Sequence, residues 1–112
     1  MDLKIVGLAI TALLGGSSLM GGARLASLLG YEKQMSPLGE IEFRATYGGF
    51  FLMLGLLGIY LRTDDVFLIV GCSWLSAGVT RLIMFLYKRT HTKENMVGLV
   101  IELGIGALIL FG

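Results

Sequence analysis

The chain has 112 residues, of which 55% are hydrophobic and 15% charged, and its formal net charge is +1. That length allows one domain, and so few charges cannot coat a soluble globule, where about a quarter of the residues are usually charged. The near-neutral balance implies no polyanion partner, so no nucleic acid is expected.

Every residue between Lys4 and Arg24 is uncharged, a run long enough for a membrane span of about 20 residues. It predicts a first helix over about residues 3–29. A secretory signal is the rival reading, because Met1 to Lys4 is a short n-region and Gly21-Gly22-Ala23 loosely resembles a cleavage site. The run is longer than the apolar stretch of a signal peptide, so a retained span is expected. Ser36-Pro37 then reads as an N-cap followed by proline at the first helical position, with Glu40 in the positive N-terminal region. The second helix is expected over 37–61 and is uncharged after Arg44. A very short turn at Arg62 and Thr63 leads to Asp64 and Asp65, which suit the start of a third helix over 64–88. Helices two and three are therefore expected to be antiparallel neighbours. Thr92-Lys93-Glu94 opens a fourth helix over 93–112. The fold class is all-α, a four-helix transmembrane bundle in a single membrane domain, with glycine (17 residues) letting helix backbones approach closely.

An even number of spans puts both termini on one side, with Lys4 and Arg62. The other side carries Lys33, Lys88, Arg89 and Lys93. The positive-inside rule places that side in the cytoplasm. The expected location is a bacterial inner membrane, multi-pass, with both termini non-cytoplasmic.

Ionisable residues inside spans are costly and usually face a bundle interior. Here they are Arg24, Glu42, Arg44, Arg81 and Glu102, with Glu40 at the margin, and all fall in the cytoplasmic half of the bundle. Arg44 shares its face with Glu40, Tyr47, Gly48, Phe51 and Gly55, Arg81 with Trp74, Gly78 and Phe85, and Glu102 with Gly98 and Gly106. Small residues beside a charge mark a packed interface. A polar cluster of Glu42, Arg44, Tyr47, Arg81 and Glu102 is therefore expected, with the arginines paired to Glu42 and Glu102. Glu40 to Arg44 is also a favourable i,i+4 pair. Two readings compete for this layer: ion pairs that set helix packing and register, or a binding site for an anionic headgroup, a carboxylate or a proton. Arg24, Tyr60 and Tyr87 read as lipid or interface anchors.

The segment Glu42-Phe43-Arg44-Ala45-Thr46-Tyr47-Gly48-Gly49, with Arg81 and Glu102, resembles a family of small bacterial four-helix membrane proteins of unknown function, broadly DoxX-like in size and layout. That resemblance implies a membrane bundle and adds weight to the same five residues without naming a ligand. Small multidrug transporters are similar in length only. They depend on a carboxylate in helix one, and none lies between Lys4 and Arg24 here.

No nucleophile–base pair stands out. Cys72 has no second cysteine, and His91 has no second metal ligand near it. No enzyme activity, cofactor or metal is expected. The expected function is an accessory or interaction subunit of a membrane complex, or a homo-oligomer. Its partners would be membrane lipids and other membrane subunits or further copies of itself. The alternative is a small transporter or lipid- or small-molecule-binding protein that uses the polar layer.

Overall fold

The computed structural model describes residues 2–28, 36–88 and 93–112, without the side chains of residues 22–28, 88 and 94. The connections around Lys33 and His91, the Thr92 cap and Arg89 lie outside the described residues, as does the side chain of Arg24. The described residues form four helices and no strand: α1 (Leu3–Leu28), α2 (Pro37–Leu61), α3 (Asp64–Lys88) and α4 (Lys93–Phe111).

Local chemistry accounts for the helix ends. The Ser36 hydroxyl accepts from the Gly39 amide at 3.0 Å, and Pro37 occupies the first turn. Arg62 ends α2 in the left-handed conformation (φ 51°, ψ 36°), with its amide donating to the Gly58 carbonyl. The Thr63 hydroxyl accepts from the Val66 amide at 3.3 Å and starts α3 at once. A left-handed L-residue costs about 1–2 kcal/mol, and glycine avoids that cost. Arg62→Gly is therefore expected to stabilise the hairpin by about 0.5–1 kcal/mol, measured as a shift in denaturant midpoint in mild detergent. A loss of stability would mean that the Arg62 Nε donation to the Ile59 carbonyl (2.9 Å) outweighs the backbone term.

Within α2, residues Arg44–Phe50 are wound as a π-helix between two α-helical stretches. Thr46, Gly48 and Gly49 are weak α-formers, which lowers the cost of the wider turn.

Glycines decide which helices touch. α1 and α2 run antiparallel in close contact, with Gly58 facing Leu8, Gly55 facing Ala12, Gly15 facing Leu52 and Gly48 facing Leu19. α3 and α4 do the same through Gly71 on Leu110, Leu75 on Gly106, Gly78 on Leu103 and Arg81 on Gly98. The two hairpin-like pairs meet where α1 packs on α4, with Gly7 against Ile109. Lys4 adds a clasp there: its ammonium donates to the Ile109 and Leu110 carbonyls at 3.0 and 2.6 Å, a cation at a helix C-terminus.

The expectation that α2 and α3 are neighbours holds near their turn and again where Phe51 meets Trp74, but their backbones are not closely packed between. There they diverge around an apolar groove of ≈ 440 Å³ lined by Met53, Leu57, Ile69 and Val70 among others. The physical reason lies in side-chain size. The close-packing glycines of α2 are turned toward α1 and those of α3 toward α4, so the close backbone contacts form there rather than between α2 and α3.

Three helices are long and apolar enough to cross a membrane, and the apolar part of α4, Asn95–Phe111, is shorter. The exterior suits a lipid solvent. Leu13, Met20, Leu68, Ile69 and Val100 are exposed, more apolar surface than a water-soluble monomer normally shows. The interior is divided by depth. Toward the termini, Leu8, Phe67, Val70, Trp74, Ile105 and Ile109 form a dry core. Polar side chains gather toward the other end.

Candidate functional site

The polar end is built around Arg81 of α3. Gly98 of α4 lies opposite it, and a Cβ there would meet the guanidinium carbon at 2.8 Å. Absence of a side chain at Gly98 thus gives the guanidinium room to lie along α4. Its Nε donates to Glu102 Oε1 at 2.5 Å, and its Nη1 donates to Asn95 Oδ1 at 3.0 Å. Asn95, Gly98 and Glu102 are spaced i, i+3, i+7, so one face of α4 presents all three. The pair is largely withdrawn from solvent, with side-chain exposures of 27% for Arg81 and 12% for Glu102.

A row of rings crosses from α2 to α3. Phe43 stacks on Tyr47 (5.1 Å between centroids), Tyr47 meets Phe51 edge-on (5.3 Å), and Phe51 contacts Trp74 (5.0 Å). The Trp74 indole N–H donates to the Thr11 hydroxyl at 3.0 Å, and that hydroxyl donates to the Gly7 carbonyl at 2.9 Å. The indole is thereby fixed between α3 and α1. Among the described residues, no buried side-chain nitrogen or oxygen lacks a hydrogen-bond partner.

A cavity of ≈ 40 Å³ lies among these groups, and all four helices line it: Leu14 and Ser18, Tyr47 and Phe51, Trp74 and Arg81, Gly98, Ile101 and Glu102. Of the five residues expected to cluster, Tyr47, Arg81 and Glu102 meet at this cavity. Glu42 and Arg44 do not line it. Glu42 is exposed on α2, and Arg44 pairs with Glu40 at 3.1 Å while its Nη1 donates to the Leu19 carbonyl at 2.6 Å. The expected Glu42 partner is thus replaced by Glu40. Residues four apart share a helix face, whereas residues two apart point away from each other. Both side chains of the Glu40–Arg44 pair are 41% exposed, and surface pairs of this kind contribute little.

Sequence reasoning missed Asn95, Ser18 and Thr11. Asn95 carried a usable signal in its spacing from Gly98 and Glu102. Ser18 and Thr11 carried none, because both sit in an otherwise uniform apolar run. The expected anchors Tyr60 and Tyr87 are exposed near opposite ends of the bundle, at the end of α2 and of α3 respectively. Cys72 is exposed. Among the described residues no three His, Cys, Asp or Glu side chains are grouped to hold a metal ion.

The family described as a domain of unknown function, DUF4345, matches residues 3–112, and the chain belongs to it. No curated protein and no solved structure matches the chain.

Proposed function

We propose that this member of the family is a small, non-catalytic polytopic membrane protein that works by packing sideways against a transmembrane helix, and that the helix on its α2–α3 face belongs to a second copy of the chain. The observation that carries this reading is a row of exposed hydroxyl residues, Ser73, Ser76 and Thr80, along the middle of α3, with Ser73 lining the apolar space between α2 and α3. Ser73 donates to its own helix at the Ile69 carbonyl (2.7 Å). Hydroxyls on an outward face gain little from lipid but bond across a helix interface. A hydroxyl both donates and accepts, so the row is complementary to itself across a two-fold axis. No charged residue lies on α3 between Asp65 and Arg81, so two copies meet there without like-charge repulsion. Gly49 lines the groove, and a Cβ there would meet nothing within 4 Å, which leaves room for close approach. Gly15 and Gly106, by contrast, are already used inside the bundle.

Within this reading the membrane is a bacterial inner membrane, with Lys33, Lys88, Arg89 and Lys93 cytoplasmic and both termini outside. Tyr60 and Tyr87 act as interfacial anchors at the two faces. A DoxX-like layout fits the same assignment.

Single cysteines test the interface. In a Cys72→Ala background in native membranes, Ser76→Cys is expected to give a disulfide-linked dimer under mild oxidation. Leu13→Cys, exposed on α1, is expected to give little. Equal cross-linking at the two positions, or none at Ser76→Cys, would overturn the proposed face.

A further inference from the structure

Independently of self-association, we infer that the cavity among the four helices is a one-sided aqueous vestibule that admits water, and the protons it carries, to the Glu102 carboxylate. Size decides the guest. The volume is ≈ 40 Å³, and a water requires roughly 10–15 Å³ of such space, so about three waters fit. A ring compound or a lipid headgroup does not. Most of the wall is apolar, from Leu14, Phe51, Trp74 and Ile101, but Ser18, Tyr47, Arg81 and Glu102 add hydroxyl, guanidinium and carboxylate groups. Water occupies cavities that offer it two to four polar partners, whereas apolar cavities stay dry.

Exposure gives the direction. The side chain of Arg81 is 27% exposed and that of Glu102 12%. Trp74 is 7% exposed, and Thr11, Leu8 and Ile109 are at 0%. The polar path stops where Trp74 donates to Thr11 and Thr11 to the Gly7 carbonyl. Beyond that lies the dry core. Among the described residues, water therefore reaches the ion pair from the Asn95 end of the bundle and goes no further. The ionisable groups facing Glu102 from neighbouring helices are Arg81 of α3 and Tyr47 of α2, and α1 presents Ser18, among the described residues. When a proton arrives, a hydronium ion gives it to a Glu102 oxygen and becomes water. The neutral acid stays in the cavity, and Arg81 keeps its bond to Asn95. Ionisable groups inside a membrane bundle commonly mark ion or proton pathways, and water from one side gives this pair that access.

Two measurements on the protein in liposomes test this. X-ray hydroxyl-radical footprinting generates radicals from bound water. After correction for intrinsic ring reactivity, Tyr47 is expected to label several-fold faster than Phe67 of the dry core. Infrared difference spectra on acidification are expected to show a protonated-carboxyl band that shifts in deuterium oxide and is absent in Glu102→Gln. Equal protection of Tyr47 and Phe67 would mean a dry cavity, and rapid labelling of both would mean a path open at each end. Either result overturns the inference, as does a Glu102 band insensitive to deuterium. The footprinting arm needs no variant, so poor folding of Glu102→Gln leaves the inference exposed to refutation.

Discussion

Gly15→Ala and Gly55→Ala are each expected to destabilise the bundle at or beyond the upper end of the about 1–3 kcal/mol typical of overpacking. A Cβ on Gly55 would lie 2.5 Å from the Ala12 amide nitrogen and 2.7 Å from its Cα. On Gly15 it would lie 2.6 Å from Leu52 Cα and 2.8 Å from the Gly48 carbonyl oxygen. These obstacles are backbone atoms, so no side-chain rotation relieves them, and α1 and α2 must separate along their whole contact. Gly104→Ala is the control, since nothing lies within 4 Å of the added carbon. There, removing glycine's backbone freedom is neutral or stabilises by about 0.5–1 kcal/mol. Graded denaturation in micelles, followed by the single tryptophan, Trp74, measures all three. Wild-type stability in Gly15→Ala would show that α1 and α2 do not make this contact.

Glu102→Leu should destabilise by about 2–3 kcal/mol, because it leaves the Arg81 guanidinium without its carboxylate in a withdrawn site. Fully buried pairs lose about 3–5 kcal/mol when one partner is removed, and the residual exposure of both side chains argues for the lower figure. The double variant Arg81→Met/Glu102→Leu should recover most of that loss, since apolar residues replace buried ion pairs at little cost. A double-mutant cycle reads the coupling directly. If the double variant is as unstable as the sum of the singles, the two residues do not act as a pair. Gly98→Ala should mimic the single variant in part, by pushing the guanidinium off α4.

Much of the architecture is written locally. The uncharged runs, the Ser36-Pro37 cap and the Thr63-Asp64-Asp65 start make four helices legible, because helix length, end and polarity depend on neighbours within a turn or two. The charged positions were legible for the same reason: Arg81 and Glu102 interrupt otherwise apolar runs. The i,i+4 spacing of Glu40 and Arg44 was visible too, although Glu42 competed with it on paper.

The sequence by itself thus determined an all-helical chain of four apolar helices with charges interrupting them toward one end, and the structure shows three of the four at full membrane-spanning length. Only the tertiary structure decided that Arg81 takes Glu102 and Asn95, that Glu42 stays outside, that Trp74 reaches Thr11, and that α2 and α3 part around a groove. These outcomes depend on how far each helix is rotated and how deeply it is set. Rotation and depth follow from which glycines admit which neighbours and from the π-helical turn through Arg44–Phe50, and neither is a property of any one segment alone.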